Sequence, residues 1–283
     1  MIGVKRRWDG FGRSCWEWTL WLLLALVAGR SVGLWGESAF VERQRFRSSD
    51  AHQGVGVDGR RVYAVGSRSI TAHDKWTGQP VARWKAPPLG PWIHLDSAVV
   101  LEGKIYCAHS NYPFLPMTGS VEVFDAASLK WLSRHTFVDP PGSCTWVDWA
   151  NGHWWACFAH YNGPGGEPDK DHSWTTLVQF SPDWQELKRW RFPKAVLSRF
   201  GDFSCSGGSF GADGLLYCTG HDEAEVYAMR IPEGGGELEF VSVFPLTCFG
   251  QGIAWDRSGN PPFLLYSIKR ATKEVIASAL RRE

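Results

Sequence analysis

Five times along its length the chain repeats one pattern, a short apolar segment, a turn dipeptide and a second apolar segment: GVGVDGRRVYAV, AVVLEGKIYCA, VDWANGHWWACF, SFGADGLLYCT and IAWDRSGNPPFLLYS. Each reads as a β-hairpin, because a residue that tolerates positive φ beside a glycine closes two strands of matching twist. The turns fall at Asp58-Gly59, Glu102-Gly103, Asn151-Gly152, Asp213-Gly214 and Ser258-Gly259, so subtraction of their positions gives spacings of 44, 49, 62 and 45 residues. After each hairpin comes a third alternating strand (SITAHD, SVEVFD, TLVQFS, EVYAM, EVIASAL), and after four of them a fourth (VARWKA, WLSRHTF, ELKRWRF, EFVSVF). Four strands at this period make a propeller blade. The fifth unit runs out of chain, but VERQRF (Val41 to Phe46) echoes LKRWRF (Leu187 to Phe192) and supplies the missing outer strand. Closure of the ring removes the exposed sheet edges an open array would carry. The expected fold is therefore an all-β, five-bladed β-propeller over residues 41–283, closed by an N-terminal strand.

What precedes the propeller reads as a targeting segment. Lys5, Arg6, Arg7 and Arg13 lead into an apolar run from Trp18 to Gly29 that ends at Arg30, the order of a signal peptide. Residues 1–30 are read as that signal and 31–40 as a linker, so the protein is expected to be exported (secreted, periplasmic or lumenal). A membrane tether is expected only if the segment stays uncleaved, since the run falls short of the roughly 20 apolar residues that span a bilayer. The whole chain of 283 residues carries 30 basic and 29 acidic groups. Residues 1–30 hold five of the former and two of the latter, so the remainder has 25 against 27, or −2. Near-neutrality excludes a dedicated nucleic-acid binder, and 44% hydrophobic residues with 17 Trp exclude a disordered chain. Once Cys15 leaves, six cysteines remain, at 107, 144, 157, 205, 218 and 248. An even number after export permits disulfides, with 15 pairings open; Cys144 with Cys157, flanking the hairpin at Asn151-Gly152, is the favoured one.

Propeller geometry sorts the polar residues. First strands descend from one face, here the top, and second strands climb back to it, so the start of the one and the end of the other share a rim. On that rim lie His52, Gln53, His94, Asp96, Trp146 and Gln251 from first strands, and His109, His160 and His221 at equivalent places in three second strands. His94 and Asp96 alternate across Leu95 and so share a face of an extended strand; a carboxylate beside a histidine makes a general acid–base pair. His109, His160 and His221 form the ligand set expected for a divalent metal, zinc or another transition metal, with one position left open. His52, Gln53, Gln251 and Trp146 are expected to bind substrate, Trp146 as an aromatic platform. The glycine-rich stretches read as turns, and no nucleotide cofactor is indicated.

AHQGVGVDG (Ala51 to Gly59) and FGQGIAWD (Phe249 to Asp256) resemble the FTQGL and FGEGL segments that open blades in plant and bacterial glutaminyl cyclases. That resemblance implies a five-bladed propeller with a Trp-lined pocket and places an acidic catalytic residue of that family at Gln251, where this chain has an amide that cannot shuttle a proton. In general texture the chain also resembles lactonase and cycloisomerase propellers. Two functions follow as expectations: an exported hydrolase, lyase or isomerase/cyclase acting on a small polar substrate such as a sugar, lactone or peptide end, or a non-catalytic propeller that binds a glycan or protein partner through the same face.

Overall fold

The computed structural model describes residues 39–259 and 263–281; the expected leader at 1–30 and the linker to residue 38 lie outside the described residues. The chain enters through β1 (Ala39–Arg47). The first blade is β2 (Gly54–Val57), β3 (Arg61–Gly66), β4 (Ser69–Asp74) and β5 (Pro80–Lys85), and the second is β6 (His94–Leu101), β7 (Lys104–Ser110), β8 (Gly119–Asp125) and β9 (Trp131–Thr136). The third is β10 (Ser143–Ala150), β11 (His153–Ala159), β12 (Thr176–Phe180) and β13 (Glu186–Arg191). After the helix α1 (Lys194–Phe200) comes the fourth, β14 (Gly207–Phe210), β15 (Leu216–Thr219), β16 (Glu225–Arg230) and β18 (Glu239–Pro245); β17 (Gly236–Glu237) leaves it to pair parallel with β13. The fifth is β19 (Ala254–Trp255), β20 (Leu264–Lys269) and β21 (Glu274–Arg281), completed by β1, which runs antiparallel to β21 from Ala39 opposite Arg281 to Arg47 opposite Glu274. Innermost strands touch in the order β2, β6, β10, β14, β19 and back to β2, so the ring is closed.

The turns obey the sequence. Glu102 and Gly103 lie at φ +50° and +73°, Asn151 and Gly152 at +53° and +75°, the pair of left-handed residues a two-residue hairpin needs. Each seam between neighbouring blades then holds its own apolar cluster, because alternate side chains of a buried strand face opposite blades. Tyr63, Ile70, Leu95 and Phe124 fill the first seam; Val99, Phe137, Val147, Trp154 and Phe158 the second; Trp146, Trp155, Trp190 and Phe210 the third. Tyr217, Leu246, Trp255 and Leu265 fill the fourth, and Val55, Val62, Tyr266 and Val275 the fifth. Burial of each such side chain stabilises the fold by roughly 1.5–3 kcal/mol before entropy is counted.

Near the top of the axis the inner strands approach too closely for a side chain. A Cβ on Gly252 would lie 2.7 Å from the Cα of Gly54, and one on Gly207 would lie 2.5 Å from the carbonyl oxygen of Gln251. The two Gln-Gly segments singled out in the sequence meet here, with the Gly252 amide donating to the Gln53 carbonyl at 2.9 Å.

One pairing expectation is corrected. All six described cysteines are free and buried. A bulge in β10 puts Cys144 opposite Phe158 and Trp146 opposite Cys157. Cys144 therefore packs into the seam with the second blade and Cys157 into the seam with the fourth, on opposite faces of one sheet, so no bond joins them.

Candidate functional site

At the top end of the axis the inner strands and their loops enclose a cavity of about 330 Å³ lined by Gln53, His94, Asp96, Tyr112, Thr145, Tyr161, Phe203, Ser206, His221, Gln251 and Arg270. That is the lower end of the range, roughly 300–1,000 Å³, in which small-molecule sites fall. Every blade contributes to it.

His94 opens β6 and Asp96 sits in the bulge between Leu95 and Ala98, which keeps both side chains on the axial side. His94 Nε2 lies 3.7 Å from Asp96 Oδ2, and Asp96 Oδ1, buried, makes no hydrogen bond among the described residues. Burial pushes the Asp96 carboxyl well above the usual carboxylate range, against the opposing pull of the Arg270 charge and the Ser97 amide. Burial likewise depresses His94 to about 4, helped by the neighbouring His109, His52 and Arg270. At pH 7 the imidazole is therefore neutral, and the carboxyl beside it holds its proton more tightly than an exposed aspartate does, which sets a proton acceptor and a proton donor within one small cavity. Environments that drive two titratable groups apart in this way are how acid and base roles are assigned.

Opposite them stands a cation. Arg270, in the turn after β20, donates from Nη1 to His221 Nε2 at 2.8 Å. His221 Nε2 must then carry the lone pair, so Nδ1 holds the hydrogen, which Asp222 Oδ1 accepts at 2.6 Å. The His221 ring also lies 4.6 Å from the Phe203 ring, and the His94 ring 5.2 Å from the Tyr112 ring. Gln53 donates to Ser67 Oγ at 2.9 Å. Gln251 adopts φ +70°, and its buried Nε2 makes no hydrogen bond among the described residues. A non-glycine residue held in the left-handed region at a cavity wall stores strain that its surroundings must enforce.

Several expected site residues lie elsewhere. The bulge that moves Thr145 onto the axis turns Trp146 into the third seam, where it is fully buried, its ring against Gly208 and its Nε1 donating to Cys205 Sγ at 3.3 Å. Trp146 is a packing residue and not a platform. His52 does not line the cavity. The three histidines expected to share a metal do not converge. His109 accepts from the Ile93 amide at 3.0 Å through Nε2, and its Nδ1 hydrogen goes to Ser120 Oγ at 2.9 Å, a hydroxyl that itself donates to the buried Glu122. His160 Nε2 donates to the Pro141 carbonyl at 2.6 Å and lines a different depression; only His221 reaches the axial cavity. Among the described residues no group of three or more His, Cys, Asp or Glu side chains is gathered to hold a metal ion. With their ring nitrogens claimed by local partners and spread over separate places, His109, His160 and His221 do not fit the expected metal site.

Arg270, Tyr112, Tyr161, Phe203 and Thr145 were not anticipated at the site. Arg270 lies one residue beyond Lys269, the last residue of β20, where strand alternation no longer fixes the direction of a side chain; the others sit on loops or at a bulge, which carry no periodic signal.

No family model matches the chain, and the search of curated proteins finds no match. Solved structures do share its fold. The PQQ-bound form of aldose sugar dehydrogenase from Streptomyces coelicolor superimposes with a TM-score of 0.55 at 10% identity, covering 87% of this chain and 99% of that one. A luciferin-regenerating enzyme gives a TM-score of 0.50 at 8% identity, covering 87% and 97%. At such identities the likeness is one of fold: the chain is a five-bladed β-propeller whose axial cavity holds a buried acid, a histidine and an arginine.

Proposed function

We propose that the protein is an acid–base enzyme, a lyase or isomerase, acting on a small polar substrate that carries a carboxylate. The observation that carries this reading is Asp96, buried with one oxygen unpartnered, 3.7 Å from His94 in a cavity of about 330 Å³ that Arg270 also lines. Arg270 offers the forked donors that match a carboxylate. A carboxylate bound there brings negative charge toward His94 and raises its basicity. His94 Nε2 then takes a proton from the carbon next to the carboxylate, and the Asp96 carboxyl gives its proton to the leaving group or to the neighbouring atom. Positioned acid–base groups of this kind contribute roughly 10²–10⁴-fold to a rate. Gln53, Gln251 and Ser206 supply hydrogen bonds that orient polar substituents. Export of this enzyme is part of the proposal, resting on the basic residues and apolar run before Arg30; N-terminal sequencing of protein recovered outside the cytoplasm tests it.

The functional test is a binding screen of small hydroxy acids, sugar acids and lactone-derived acids by ligand-observed NMR, followed by proton spectra of each ligand in D2O. The expected result is a ligand whose proton next to the carboxylate exchanges or is eliminated by the wild type. Asp96→Asn and His94→Gln should bind that ligand without turning it over, and Arg270→Gln should not bind it. Binding without turnover in the wild type would support instead the non-catalytic reading, a propeller that only recognises its ligand.

A further inference from the structure

A second, larger cavity of about 1150 Å³ opens away from the axis, on the outer top surface between the second and third blades. Its floor is apolar, made by Met117, Phe137 and Trp190. One wall is the segment after β11, which carries Trp174 with 56% of its surface exposed and Lys170 Nζ 6.0 Å from the indole centroid. The rim adds hydroxyls and cations, among them Thr176, Arg189 and Arg191.

Two observations set the chemistry of what fits here. The first is His160. Its side chain is only 2% exposed, and because Nε2 must donate to the Pro141 carbonyl, Nδ1 carries a lone pair. That buried Nδ1 has no hydrogen-bond partner, and the nearest carboxylate, Glu167 Oε2, is 4.0 Å away. An orphaned buried acceptor is destabilising, so the position calls for an O–H or N–H donor. The second is charge. Arg189 is held by Glu186 and Lys170 by Glu167, whereas the Arg191 guanidinium has no hydrogen bond or ion pair among the described residues, and the basic lining groups, Lys170, Arg189 and Arg191, outnumber the acidic ones, Asp139 and Glu167. One free guanidinium, one buried acceptor, an exposed indole and a volume above the usual range of roughly 300–1,000 Å³ for small-ligand sites describe a ligand with hydroxyl donors, apolar ring faces and negative charge.

From this the geometry points to a binding site for an acidic oligosaccharide, with a sugar ring against Trp174, a carboxylate on Arg191 and a hydroxyl donating to His160 Nδ1. The site is independent of the axial cavity and of the reaction proposed there. It is tested by calorimetric titration of the purified protein with trigalacturonate, and with maltotriose as the neutral counterpart. Trigalacturonate is expected to bind one per chain; Arg191→Glu and Trp174→Ala, both at exposed positions, should each weaken it by about tenfold or more. Maltotriose should bind at least about tenfold more weakly, and Arg270→Gln should leave trigalacturonate affinity unchanged. The inference is overturned if trigalacturonate gives no binding up to about 10 mM, if both variants bind like the wild type, if Arg270→Gln abolishes binding, or if a hexa-aspartate peptide binds this site more tightly than the saccharide.

Discussion

Asp96 and Asp148 are both buried carboxylates on first strands, Asp96 on β6 at the top of the axis and Asp148 on β10 toward the bottom, yet they are treated oppositely. Asp148 accepts from the Trp149 amide at 2.8 Å, the Phe210 amide at 2.8 Å, Ser209 Oγ at 3.2 Å and Arg257 Nη2 at 2.6 Å. It ties the third blade to the fourth and to the fifth. Asp96 has one oxygen without a hydrogen bond and the other 3.7 Å from a histidine. A buried carboxylate with its lone pairs filled is a structural joint; one left unfilled beside a base in a cavity is available for chemistry.

The largest expected effect attacks the joint. Asp148→Ala leaves the Arg257 charge and the Phe210 amide unpaired and should cost about 3–5 kcal/mol of stability, seen as a large fall in denaturation midpoint. Asp96→Asn should change that midpoint little. Equal losses in the two variants would break the distinction between them. Next comes activity, where Asp96→Asn should lower kcat by roughly 10²–10⁴-fold on the substrate identified by the screen, measured at unchanged ligand affinity.

A smaller effect lies in pH. His94 has its folded value depressed to about 4 from an ordinary 6.5, so its contribution to stability is present above 6.5 and is lost as pH falls toward 4. His94→Gln should flatten part of that acid limb in a series of unfolding curves, although His109, depressed to about 4 by burial, keeps a share of it. Asp96, raised, has the reverse sign: its contribution is present at low pH and is lost as pH rises through its folded value. Asp96→Asn should therefore remove a loss of stability on the alkaline side.

Much of this was legible in the sequence, for definite reasons. Residues that accept positive φ, such as Asn151-Gly152, mark the hairpins whatever surrounds them, and VERQRF announced the strand that closes the fifth blade. Gln53 and His94 reach the axial cavity from the start of a strand, Asp96 from the bulge that keeps it on the axial side, and His221 and Gln251 from the short connections beside β15 and β19. Period two fails wherever a strand bulges, since a shift of one residue exchanges the two faces. The irregularity beside Thr145 sent Trp146 and Cys157 into one seam and Cys144 into another. His109 and His160 occupy equivalent places in their blades, but position on a strand does not say which local carbonyl, amide or hydroxyl will claim the ring. Arg270, Tyr112 and Phe203 come from turns and loops, whose paths are set by tertiary packing.

Burial holds the Asp96 proton well above the usual carboxylate range, and this is read most directly from the carboxyl carbon of Asp96 by NMR of 13C-aspartate-labelled protein, assigned by comparison with Asp96→Asn. The account predicts that this signal keeps its protonated shift through the ordinary aspartate range near 3.8 and ionises only well above it. Ionisation near 3.8, like that of an exposed aspartate, would contradict it.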